Sequence, residues 1–179
     1  MSQGIAGVLR LTMISHGMTD AMAAARFPAD EPLNTLGRRQ AEEVGPLDTA
    51  GRQFCAPERR TRQTAALLGL RATVESRLRE LDCGRWRGQL AQDLDLDTWL
   101  TDTTRAPHGG ESIVDLIERV AGWLGSLTES TVAVTHPAVV RSAILVALDA
   151  PPKSFWRIDI PPLSRTVMHC RGGNWTLRP

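Results

Sequence analysis

The chain has 179 residues, 42% of them hydrophobic and 23% charged, with 21 Lys+Arg against 20 Asp+Glu and a formal charge of +1. That composition suits one soluble domain able to bury a core without a disulfide or a structural metal. So small a charge argues against a nucleic-acid partner, and no apolar run approaches the ~20 residues that span a bilayer, so no membrane partner is expected. Cys55, Cys83 and Cys170 are odd in number and widely spaced, which fits a reduced, cytoplasmic setting better than a disulfide framework or a zinc knuckle.

In chain order, Val8 to Ser15 mixes branched residues with alternation and ends in His16-Gly17, a core strand feeding a loop. The apolar stretch from Ile5 onward lacks a positively charged leader and is read as strand, not signal peptide. A loop through Phe27 to Pro32 leads to a helix over 34–44, with Asn34 or Thr35 near its cap. A short strand at 53–56 passes through Pro57 into a helix over 58–68, with Gly69 just past its end. Another short strand falls at 72–75, followed by an irregular region from Leu78 to Pro107 with some helix near 93–100.

Glu111 to Leu127 carries the clearest amphipathic helix. Thr131 to Thr135 reads as a buried strand that stops at His136, and Pro137 opens a helix to about Leu148. Residues 166–170 and 174–178, joined by Gly172-Gly173, read as a final hairpin. Strands alternating with helices predict an α/β three-layer sandwich. Its central sheet is mainly parallel with helices on both faces, and the whole is a single domain over 1–179 with a small cap insertion at 85–107.

The usual nucleophile elbow, phosphate loop, dinucleotide fingerprint and zinc-helix motifs are absent from the sequence. What remains is Ser15-His16-Gly17-Met18-Thr19 after the first strand and Thr135-His136-Pro137 after a later one. Parallel strands would bring both histidines to one sheet edge, where ligands meet such sheets. The arginine-rich helix start Glu58-Arg59-Arg60-Thr61-Arg62 offers donors for an anion held between them.

These segments resemble the histidine phosphatase superfamily, the phosphoglycerate mutase-like fold, over nearly the whole chain and in the family's order. His16-Gly17-x-Thr19 resembles its R-H-G-x-T signature, and Leu33-x-x-x-Gly37-x-x-Gln40-Ala41 its L-t-x-x-G-x-x-Q-A helix. Pro57-x-x-Arg60-x-x-Gln63-Thr64-Ala65 is similar to S-P-L-x-R-a-x-Q-T-A, and Leu78-x-Glu80-x-x-x-Gly84-x-Trp86-x-Gly88 to L-x-E-x-x-x-G-x-W-E-G. Gly110-Glu111-Ser112 and Val134-Thr135-His136 resemble the G-E-S and v-s-H elements.

The resemblance implies a phosphomonoester hydrolase that needs no metal and no cofactor, with a small phosphorylated metabolite as its only expected partner. His16 would be the nucleophile, giving a phosphohistidine; Arg60 and a protonated His136 would hold the phosphoryl oxygens; Glu80 would protonate the leaving alkoxide and later deprotonate water. Phosphate-binding positions would be Arg60, Thr19 and Ser15. The last stands where the family has its signature arginine and offers a single neutral hydroxyl. Arg26, Arg39, Arg85 and Arg87 are the candidates to replace that cation. Two other functions fit the resemblance: a relative that binds a phosphorylated ligand without turnover, and phosphoryl transfer of the phosphoglycerate mutase type.

Overall fold

A computed structural model describes residues 7–179 of the chain; the Ile5 and Ala6 part of the first predicted strand lies outside them. The strands are β1 (Leu9–Ser15), β2 (Arg52–Cys55), β3 (Thr73–Val74), β4 (Thr131–Thr135), β5 (Arg165–Arg171) and β6 (Asn174–Arg178). The helices are α1 (Asp20–Ala23), α2 (Thr35–Val44), α3 (Arg59–Leu67), α4 (Asp97–Thr101), α5 (Ile113–Gly125) and α6 (Pro137–Leu148). Together the strands make one six-stranded sheet in the order β3-β2-β4-β1-β5-β6. The first four are mutually parallel, and the β5–β6 hairpin adds an antiparallel edge on β1.

Alternation along β1 divides the core between the two faces. Leu11 and Met13 join α5 and α6 residues such as Leu116, Trp123 and Val140 in one cluster, whereas Ile14 joins Cys55, Val132 and Val134 with Ala65 of α3 and Leu68 just past its end. Every residue of β4 is buried, as a strand covered on both faces requires. Helices α5 and α6 pack together on one side and α2 and α3 on the other, which completes the three layers.

The helix ends follow from local chemistry. The Asn34 side chain accepts from Gly37 N at 2.8 Å to cap α2. Ser112 and Asp115 form a reciprocal capping box on α5. Gly37 is required for a different reason: a Cβ there would stand 2.2 Å from Met18 O, so only glycine lets α2 lie against the loop after β1.

The irregular region is more ordered than its composition suggests. It folds as three short 3-10 turns at Ser76–Leu78, Gly84–Trp86 and Ala91–Asp93, followed by α4. Trp86 and Trp99 meet Phe27 with ring centroids 5.2 and 5.4 Å away. The four-residue α1 and the 3-10 stretch Pro152–Arg157 are not anticipated by periodicity, because neither is long enough to display any.

Candidate active site

Register alone brings the two histidines together. β1 and β4 pair in parallel with Ser15 opposite Thr135, so the next residues, His16 and His136, leave the same sheet edge side by side. The His16 amide donates to Thr135 O at 3.0 Å, and the two rings stand 5.2 Å apart. Both side chains are almost completely buried.

The remaining groups are carried in from neighbouring elements. Arg60 lies in the first turn of α3, 1% exposed, with Nε donating to His16 Nε2 at 3.3 Å and Nη2 donating to Glu80 Oε2 at 3.0 Å. Glu80 reaches the site because Thr135 Oγ1 donates to Leu78 O at 2.7 Å, tying that segment to the end of β4. Glu80 Oε2 stands 3.1 Å from His136 Nδ1. On its other nitrogen, His136 Nε2 donates to Glu58 Oε2 at 2.7 Å, while Glu58 Oε1 accepts the Glu80 amide at 2.9 Å. Glu58 thus bridges the His136 imidazole and the Glu80 backbone. The sequence reading left it out because a glutamate at a helix start reads as solvated.

Proton positions follow from these contacts. His16 Nδ1 is 2.8 Å from Gly17 O, a carbonyl that can only accept, so Nδ1 carries the hydrogen and Nε2 keeps its lone pair. Burial, reinforced by the charges of His136 and Arg60, lowers the His16 pKa to about 3. Burial alone would also lower His136, but the carboxylates of Glu80 and Glu58 outweigh it and raise its proton affinity. For Glu80, burial favours the acid, yet His136 and Arg60 prevail and hold the carboxyl well below its ordinary range. Glu58 is held low by His136 against a similar burial penalty.

The site therefore contains one neutral imidazole whose Nε2 accepts from Arg60, the cations Arg60 and His136, and the carboxylates Glu58 and Glu80, with Glu31 3.9 Å from Arg60 Nη1. His16, Glu80 and His136 could also gather donor atoms within 4.8 Å of one another around a metal ion. The Arg60 guanidinium, however, directs Nε at the His16 lone pair such an ion would use. The donor set suits an anion better than a cation.

Other expected phosphate contacts lie elsewhere. Ser15 is fully buried, and its hydroxyl donates to Pro161 O in place of the pocket, within reach of Ser164 Oγ. Thr19 Oγ1 accepts from Met22 N at 3.2 Å, capping α1. Of the four arginines considered as replacements, Arg39 pairs with Glu43 at the surface and Arg85 donates to Pro107 O. Arg87 lines an adjoining cleft, and only Arg26 reaches the main pocket. A fifth, Arg141 of α6, also lines that pocket and carries no sequence signal beyond its place on the helix that follows His136. The pocket, about 280 Å³, is lined by His16, Arg60 and Glu80 together with Phe27, Trp99, Phe155 and Trp156.

The sequence profile of the histidine phosphatase superfamily (branch 1) matches residues 11–179, and the chain belongs to that family. It is 36% identical over 138 residues to the glucosyl-3-phosphoglycerate phosphatase of Mycobacterium tuberculosis, a match covering 68% of this chain and 61% of that one. It is 24% identical over 186 residues to phosphoserine phosphatase 1 of Hydrogenobacter thermophilus, covering 90% and 87%. Among solved structures, the mycobacterial glucosyl-3-phosphoglycerate phosphatase in complex with VO3 superposes with a TM-score of 0.81 at 30% identity, covering 95% and 97%. The described helices include none long and apolar enough to cross a membrane.

Proposed function

We propose that the protein hydrolyses a small phosphomonoester through a phosphohistidine on His16. The observation that carries this reading is a buried imidazole whose Nδ1 is spent on Gly17 O and whose Nε2 lone pair faces the Arg60 guanidinium. A neutral nucleophile beside fixed cations is what displacement at an anionic phosphorus centre needs. The relatives named for activity on glucosyl-3-phosphoglycerate and phosphoserine, and the VO3 complex of one of them, support the same substrate class.

In this reading the ester's phosphoryl oxygens displace the Glu80 carboxylate from Arg60 and His136. Glu80, relieved of both cations while still enclosed, then takes up a proton. His16 Nε2 forms a bond to phosphorus as the ester P–O bond breaks, and the leaving oxygen takes the Glu80 proton. In the second half Glu80 removes a proton from water, the water oxygen bonds phosphorus, and the P–N bond breaks to restore the His16 lone pair. Arg60 and His136 supply the positive charge, so the proposed cycle uses no metal. The setting is cytoplasmic, in keeping with the buried, unpaired Cys55, Cys83 and Cys170.

Phosphate release from a panel of phosphomonoesters at mildly acidic to neutral pH, run beside His16→Ala, tests the proposal. Turnover by the wild type and a loss of about 10³-fold or more in the folded variant is the expected result. Equal rates in the two would remove the mechanism. A second reading, binding without turnover, is favoured by the Ser15 hydroxyl facing Pro161 O and contributing no donor to the pocket; a folded wild type that binds vanadate but releases no phosphate would support it.

A further inference from the structure

The pocket lining includes residues that the proposed chemistry does not use, and among them is a second polar anchor. Arg141 projects from α6, the helix His136 precedes, and it is half-buried against the aromatic wall. Its Nε donates to Ile158 O at 2.7 Å, and its guanidinium carbon stands 5.5 Å from the centre of the Phe155 ring. The fork is therefore held in place by a backbone carbonyl and by stacking. Among the described residues neither terminal nitrogen meets an acceptor, and no carboxylate forms an ion pair with it. Burial weakens its hold on its proton, against the opposing pull of the Asp159 and Glu80 carboxylates.

It stands outside the hydrogen-bonded cluster around His16, while the Glu80 carboxylate still acts on its charge. Arg60, not Arg141, bonds Glu80 and His16. Phe27, Trp99 and Trp156 line the same pocket as the two arginines. One pocket is thus lined by Arg60 beside His16, by apolar rings and by Arg141, a second forked donor.

We infer that Arg141 receives a second anionic group on the substrate. The substrate class is then a phosphomonoester whose alcohol half is apolar or ring-bearing and ends in a carboxylate or another phosphate. This rests on the phosphatase reading only in sharing its pocket. Binding to the remote anion would orient the ester for in-line attack, so part of the catalytic effect would come from a group that does not react.

Phenyl phosphate provides the reference ester, and its 4-carboxylate, 4-carboxymethyl, 4-carboxyethyl and 4-phosphate derivatives carry a second anion at increasing distance or of different kind. Their affinities for His16→Ala, which holds them without turnover, can be measured by calorimetry, and kcat/KM by phosphate release from the wild type. The inference predicts that at least one derivative binds 10-fold or more tightly than phenyl phosphate. It also predicts that adding Arg141→Gln reduces this advantage to within twofold. Which derivative gains most distinguishes a carboxylate from a second phosphate.

Equal affinity across the series, no binding of any ester, or an equal loss on all esters in the Arg141→Gln background would overturn the inference. The last result would make Arg141 a ligand of the transferred phosphoryl group. A binding preference without turnover by the wild type would leave this inference standing and remove the phosphatase reading.

Discussion

At the residue scale, the proton affinity of Glu80 depends on which anion its two cations serve. In the structure it is an ion-paired carboxylate, bonded to Arg60 and 3.1 Å from His136 Nδ1. Vanadate binding near neutral pH is therefore expected to be accompanied by uptake of about one proton in the wild type. Calorimetry in buffers of different ionisation enthalpy would read this, and Glu80→Gln should remove it. Uptake unchanged in Glu80→Gln would place the proton elsewhere.

Glu58 sets a second pH effect. Its carboxylate stabilises the imidazolium of His136, so removing the charge must lower the His136 pKa. Glu58→Gln, nearly equal in shape, should move the basic limb of the kcat/KM profile to lower pH by about one unit. An unmoved limb would show that His136 does not control it. His16, Arg60, Glu80 and His136 were legible in the sequence because they stand at strand ends or in spaced motifs. Glu58 and Arg141 were not, because a charge on a helix reads as solvated until packing shows what it faces.

At the scale of elements, the site depends on α3 being joined to the loop after β1. Thr64 Oγ1 accepts the Gly17 amide at 3.1 Å and donates to Arg60 O at 2.7 Å, linking the turn that carries Arg60 to the turn that carries His16. Thr64→Val keeps the shape but leaves a buried N–H without a partner. A stability loss of about 1–3 kcal/mol in urea denaturation is expected, together with a fall in kcat. Full activity in the variant would show that this link does not position His16.

Element boundaries were readable to within one or two residues where a cap or a glycine marks them, as at Asn34, Pro137 and the Gly172-Gly173 turn. The stretch from Leu78 to Pro107 was not. Its order comes from backbone contacts between distant segments, such as Gly88 N to Phe27 O and Arg85 N to His108 O, both 2.9 Å. Gly84 permits the second of these, because a Cβ there would stand 2.2 Å from His108 O.

At the scale of the whole molecule, the buried titratable groups of the candidate site also shape stability. His16 remains neutral in the folded protein down to about pH 3, whereas the unfolded chain protonates it below its ordinary 6.5. Unfolded chains thus bind the extra proton in that window, and stability falls as pH drops through it. The lowered Glu58 and Glu80 contribute stability above their ordinary 4.5 that is lost as pH falls below it. His136, raised, contributes stability that is complete below 6.5 and is lost as pH rises through its folded value.

Urea denaturation across pH should therefore show a maximum near neutrality, a shallow decline on the acid side and a steeper one below 4.5. His16→Ala should flatten the shallow part. A decline of the same slope in that variant would mean that His16 is not the group responsible.

The central claim is that the phosphoryl group passes through His16 Nε2. A single turnover with enzyme in excess over ester, quenched in base because phosphohistidine is labile to acid, tests it by mass spectrometry of the peptide that contains residue 16. The account predicts phosphorylation of His16 that rises with ester cleavage and decays as phosphate appears. Phosphate appearing at the rate of ester cleavage, with no phosphoryl group on His16 at any time, would contradict it.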